Sequence, residues 1–142
     1  MTANNTQVGG AHYTAPYQHW DLVWDAHMGY FPGQITKYTA RWRLKNGLQD
    51  LQKALHFAQK YSELLTPALQ YEVLADRKIR TYGSTLLLDK FLSASPQLTT
   101  AEEHLVITNL TRSHGIEEVT AAIQALESLI AAEPGPAYVS QS

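Results

Sequence analysis

The stretch that decides the fold is residues 31–66, FPGQITKYTARWRLKNGLQDLQKALHFAQKYSELLT. Ile35, Tyr38 and Trp42 form one stripe and Lys37, Arg41 and Lys45 another, which predicts a helix over about 33–46. Asn46-Gly47 stops it in the manner of a C-terminal cap. Leu51, Leu55, Ala58 and Leu65 recur on one side of a second helix over about 48–66, and Pro67 closes it or begins the next. A connection this short makes the two helices antiparallel neighbours.

The chain on either side extends the same pattern. Upstream, the polar residues 1–11 with Gly9-Gly10 read as a flexible arm, and 12–21 are dense in rings. Trp20, Val23, Trp24 and His27 suit a short helix over 20–30, ended by Gly29 and a Phe31-Pro32-Gly33 turn. Downstream, helices are expected over 68–80, 84–93, from Thr100 to about Ser113, and over 116–132. Thr100 followed by Glu103 is a capping box, and Val119, Ile123, Leu126 and Ile130 line the last helix. No strand alternation and no repeat interrupts the series. The expectation is an all-α fold: a compact helical domain built on the antiparallel pair, with additional C-terminal helices. It divides into an arm (1–11), a basic and aromatic helical region (12–66), an acidic helical region packed on it (67–132) and a flexible tail (133–142).

With 142 residues the chain is long enough to bury a core without a staple. It has no cysteine, which excludes disulfides, thiolate metal sites and a cysteine nucleophile. The net charge of −2 hides a gradient. Residues 1–60 carry six Lys/Arg against three Asp/Glu, residues 61–142 five against ten. All three tryptophans and four of the six histidines also fall in the first 60 residues, so a ligand is to be sought there. No basic leader with an apolar run and no stretch of about 20 apolar residues is visible, which reads as a soluble cytoplasmic protein without a membrane partner.

Lys37, Arg41 and Lys45, at i, i+4 and i+8, would lie along one flank of a helix about 12 Å long. Like charges so placed repel unless they meet Asp50, an acidic side chain from the second half, or a phosphate. Arginine suits a planar oxyanion through its fork, lysine as a point charge, and nearby rings offer stacking faces for a base. The alternative for Tyr38 and Trp42 is core packing, and for Arg43 and Lys60 a solvated face. His104 and His114 read as surface or cap residues. Glu102-Glu103 and Glu117-Glu118 sit in first turns, where the helix dipole favours them. The chain has no G-x-x-x-x-G-K-[ST], H-E-x-x-H or G-x-S-x-G, so no phosphate loop, zinc protease helix or serine elbow is encoded.

The segments VGGAHY (8–13), QHWD (18–21), FPGQITKYTARWR (31–43) and KNGLQDLQKALHF (45–57) together resemble a small bacteriophage protein family of largely unknown function. That family includes the early nucleotide kinase of T7-like phages, which phosphorylates deoxynucleoside monophosphates without a P-loop. The resemblance covers about residues 8–65. Its pattern falls on His12, Tyr13, Lys37, Tyr38, Arg41, Asp50, Leu51, Lys53 and Ala54, with Gly33 matching and Gln34 where asparagine is usual.

A nucleotide-binding reading follows, with kinase activity as its sharp form. Lys37, Arg41 and Lys53 would hold phosphates, and Arg41 would offset charge on a transferring phosphoryl group. His12 is the candidate acid–base or phosphate ligand, and Asp50 would hold Mg²⁺, orient an arginine or accept a hydroxyl proton. Tyr13, Trp20 or Trp42 would cover the base, and Gln34 offers it an amide. ATP would be the donor, the host cytoplasm the location, and a homo-oligomer the assembly. The alternatives are a non-enzymatic phage accessory protein binding a nucleotide or a host protein, and a weak DNA-binding protein. Specific nucleic-acid recognition is disfavoured by the few basic residues.

Overall fold

The computed structural model describes residues 3–5, 15–66 and 79–133. Among the described residues it is all-α, with six α-helices and no strand. These are α1 (His19–Ala26), α2 (Tyr30–Arg41), α3 (Leu48–Leu65), α4 (Thr85–Ser93), α5 (Ala101–Thr111) and α6 (Ile116–Ala132).

Local chemistry sets most of their ends. Asp21 accepts the backbone N–H of Gln18 at the start of α1, and His27, left-handed at φ 56°, closes it earlier than the expected residue 30. The Phe31-Pro32-Gly33 segment, expected to be a turn, instead forms the first turn of α2 behind Gly29. Proline is tolerated there because first-turn N–H groups have no intrahelical partner to lose. At its other end α2 stops at Arg41, and Trp42–Leu44 tighten into a 3-10 turn. Gly47, with φ 59° and ψ −133°, then admits a backbone that a side chain would strain and opens α3. Ser84 accepts from Leu87 N–H to cap α4, and the Thr100–Glu103 box caps α5. The helix expected over 68–80 lies almost wholly outside the described residues; Ile79, at its end, forms a bridge with His114.

Rings and ions fix the direction of the α2–α3 pair. Phe31 stacks on Tyr61, Tyr38 on Phe57, and Arg41 faces Asp50, so the numbers fall on α3 as they rise on α2. Two apolar clusters result. The larger joins Ile35 and Trp42 to Leu51, Ala54 and Ala58 of α3, to Val106 and Leu110 of α5 and to Val119, Ala122 and Leu126 of α6. The smaller collects Tyr17, Leu22, Ala40, Leu88, Phe91, Leu98 and Ile107 beneath α1 and α4. α5 serves both clusters, with Val106 in the larger and its neighbour Ile107, about 100° round the helix, in the smaller. Each fully buried leucine or isoleucine contributes about 1.5–3 kcal/mol relative to exposure.

His114, expected at the surface or as a cap, Arg43, expected on a solvated face, and Glu103, expected as a capping residue in a first turn, all take part in this packing. His114 is completely buried, its Nε2 2.7 Å from the Tyr61 hydroxyl and its Nδ1 2.8 Å from the Arg112 carbonyl. Burial raises the Tyr61 phenol to about 12. Glu103 is also completely buried, and its role exceeds dipole placement. It accepts from Trp42 Nε1 at 2.8 Å, from Arg43 Nε and Nη2 at 3.2 Å each, and from Thr100 N–H and Oγ1. Arg43 is thus the outer half of an ion pair that ties the 3-10 turn to α5. Gly83 passes so close to Thr111 that a Cβ there would collide with the Thr111 carbonyl. Of the arm expected over 1–11, residues 3–5 form a 3-10 turn held at α1 by Asn4, whose amide donates to Pro16 O and Asp21.

Candidate functional site

On α2, Tyr30, Gln34 and Tyr38 follow one another at i, i+4 and i+8, so they share a face. Lys53 and Phe57 take the matching positions on α3. At one end of this face Tyr30 and Phe57 meet edge to face at 5.9 Å, and Tyr30 is 63% exposed. At the other end three cations gather on one ring. Lys37 Nζ lies 4.5 Å, Arg41 Cζ 4.7 Å and Lys53 Nζ 5.4 Å from the Tyr38 ring centre.

The charge at that end is poorly matched. Asp50, completely buried, is 3.4 Å from Arg41 Nε, and its oxygens also accept from Asn46 N–H and Nδ2. Among the described residues neither Lys37 nor Lys53 has an acidic partner. The two ammonium groups are at most about 10 Å apart. Even at that greatest separation they repel by about 1.7 kcal/mol at an effective dielectric constant of about 20, while each cation–ring contact returns about 0.5–1 kcal/mol. An anion seated between them removes the repulsion and adds charge-assisted hydrogen bonds. Gln34, partly buried, has no hydrogen-bond partner among the described residues, so its amide is available to a ligand.

Set against expectation, the structure gathers Lys37, Arg41, Lys53 and Asp50, with Gln34 one turn away. It removes Lys45 from the row, because α2 ends at Arg41 and Lys45 lies beyond the 3-10 turn. Trp42 is corrected as a base platform: it is 6% exposed, its N–H is given to Glu103, and Arg43 lies 4.2 Å over its ring. Trp20 is 53% exposed and donates to Asn4 Oδ1 at 2.6 Å, with no ring or polar contact to the cations among the described residues. His12 and Tyr13 lie outside the described residues. Asp50 does not fit as a holder of Mg²⁺. It is a lone buried carboxylate with both oxygens committed to N–H donors, and the described residues contain no group of three acidic or histidine ligands.

Sequence reasoning assigned no role here to Phe57 or His19. The spacing Lys53–Phe57 at i, i+4 opposite Tyr38 was the available signal for Phe57. His19 Nε2 is 2.7 Å from Thr36 Oγ1, and its ring meets Phe91 edge-on at 6.2 Å. Enclosure of the ring, then Lys37 and Arg41, lower its pKa to about 4. The imidazole is therefore neutral at pH 7 beside a cationic cluster.

Comparison with protein-family models, curated proteins and solved structures found no match to this chain.

Proposed function

We propose that the α2–α3 face binds a nucleotide, with its phosphate among Lys37, Arg41 and Lys53 and its base toward Phe57 and Tyr30. The observation that carries this reading is the gathering of three cations on the Tyr38 ring, with one carboxylate near them that is already bonded to its neighbours. The aromatic end gives the ligand an apolar, π-faced portion, and Gln34 stands between the two ends. A bare inorganic anion would leave that half of the face unused; a nucleoside phosphate occupies both.

The resemblance to the phage family adds a reaction to this binding: phosphoryl transfer from ATP to a deoxynucleoside monophosphate, in the host cytoplasm. The same cations support it by offsetting charge on the phosphoryl oxygens. Binding is tested by calorimetric titration of the purified chain with deoxynucleoside monophosphates and with ATP. Lys37→Ala and Lys53→Ala, both partly exposed, are expected to weaken binding about tenfold each, on the order of 1.4 kcal/mol, and to leave the fold intact. Wild-type titrations without heat or saturation for any nucleotide sink the reading. Formation of ADP and deoxynucleoside diphosphate separates the kinase from a binding protein, and binding without turnover assigns the accessory role.

A further inference from the structure

We propose that the outer face of α1 and α4 is the surface on which a second copy of this chain docks, forming a two-fold dimer. The two helices lie side by side and antiparallel. At one end the rings of His19 and Phe91 meet at 6.2 Å, and at the other Tyr82 N–H donates to the Ala26 carbonyl at 2.8 Å. Both helices cover the smaller apolar cluster, α1 with Leu22 and α4 with Leu88 and Phe91. Trp20 and Trp24 stand two residues either side of Leu22, and Leu86 two residues before Leu88, which turns each about 200° round its helix and away from that core. Trp24 is 81% exposed, Leu86 76% and Tyr82 67%, and Trp20 joins them at 53%. His27, nearly one turn on from Trp24, meets the Tyr82 ring at 4.6 Å and carries the band across from α1 to the segment before α4.

Area and charge select the occupant. An aromatic side chain can bury about 150–250 Å², so the exposed fractions of these three rings, with Leu86, amount to on the order of 500 Å². That is near the upper limit for one apolar patch on a monomer, about 600 Å². Two copies closing on it bury about 1,000 Å² from these side chains alone, the size at which a specific interface begins, and the rim adds to it. Tryptophan and tyrosine are also the side chains that interfaces concentrate. The rim carries both signs, since Asp25 and Asp89 are exposed and so are Arg80 and Lys90. Lys90 Nζ lies 4.7 Å over the ring of Tyr17, whose hydroxyl donates to Asp25, so opposite charges already meet at this edge. Such a rim offers no single-signed field to a strongly charged partner. It complements itself across a two-fold axis, where acidic groups of one copy face basic groups of the other.

Sedimentation velocity of the full chain without nucleotide, over about 1 to 200 μM, is the test. The expected result is a reversible monomer–dimer equilibrium with a Kd in the micromolar range. Trp24→Ser and Leu86→Ser, which remove no core contact, each raise that Kd at least about tenfold. Both leave the circular dichroism and the Tm of the monomer unchanged. Leu64→Ser, which removes a half-exposed leucine of α3, leaves the Kd where it was. A wild type that stays monomeric at the highest concentration overturns the proposal, as does a dimer whose Kd neither α1 nor α4 substitution moves. Growth beyond a dimer overturns the two-fold arrangement. No readout involves a nucleotide, so failure here leaves the α2–α3 site untouched.

Discussion

Replacing Glu103 by glutamine tests how the 3-10 turn after α2 is held to α5. The substitution keeps size and shape but removes the charge and turns one acceptor oxygen into a donor. Either choice of amide orientation faces donors. On one side stand Trp42 Nε1 and Arg43 Nε, on the other the N–H groups of Thr99 and Thr100, the Thr100 hydroxyl and Arg43 Nη2. Removing one partner of a buried ion pair costs about 3–5 kcal/mol. Arg43 is one-third exposed and can turn to water, which places the expected loss near the lower end, about 3 kcal/mol. For a chain of this size that corresponds to a fall in Tm of about 10 °C. Urea unfolding at pH 7 is the assay, with an unchanged slope expected. Arg43→Ala leaves Glu103 its bonds to Trp42 and Thr100 but strips a completely buried carboxylate of its counter-charge, and should lose a comparable amount, about 3 kcal/mol. The pH dependence supplies a second check. Hydrogen bonds from Arg43, Thr100 and Trp42 hold the Glu103 carboxyl below its ordinary value despite burial. A depressed native pKa gives stability that is present above the unfolded value and lost as pH falls through the native one. The gap between wild type and Glu103→Gln should therefore be full at pH 7 and narrow below about pH 4. A loss under about 1 kcal/mol in either variant would refute this account of the clip.

Two further substitutions probe the core and the site. Tyr61→Phe removes the hydroxyl that meets the buried His114 Nε2; thermal unfolding should show a loss of about 0.5–1.5 kcal/mol, and unchanged stability would discount the bond. Asp50→Asn removes the one carboxylate from the cation group, so sulfate should bind several-fold more tightly while stability falls by about 1–3 kcal/mol. Weaker sulfate binding in that variant would mean that Asp50 positions Arg41 for the anion rather than competing with it.

Periodicity made the helices legible and cross-chain contacts remained hidden. The last helix runs over 116–132 and the third over 48–65, close to expectation, because leucine and alanine recur on one face and a proline or glycine marks an end. The start of α2 was misread because Phe31-Pro32-Gly33 has turn composition, while a proline in a first turn forfeits nothing. Its end was misread because Trp42 turns inward to Glu103, a residue 61 positions away, and local spacing carries no trace of that bond. For the site, the basic and aromatic composition pointed to the right helices, and Lys37, Arg41 and Lys53 do converge. Tyr38 as their common platform depends on the antiparallel register, and the burial of Trp42 on α5 and α6. The environment of His19 needed the contact with Thr36.

The Trp42–Glu103 bond also bears on the order of folding. Closing a chain segment of this length carries more conformational entropy than forming the short α2–α3 or α5–α6 connections. The two helical hairpins should therefore assemble first and the clip close after the rate-limiting barrier. An interaction absent from the transition state governs how quickly the native protein opens, and has little effect on how quickly it forms. In a denaturant-jump experiment Glu103→Gln should steepen escape from the folded basin and leave the refolding rate nearly unchanged, so that this carboxylate sets the lifetime of the native state.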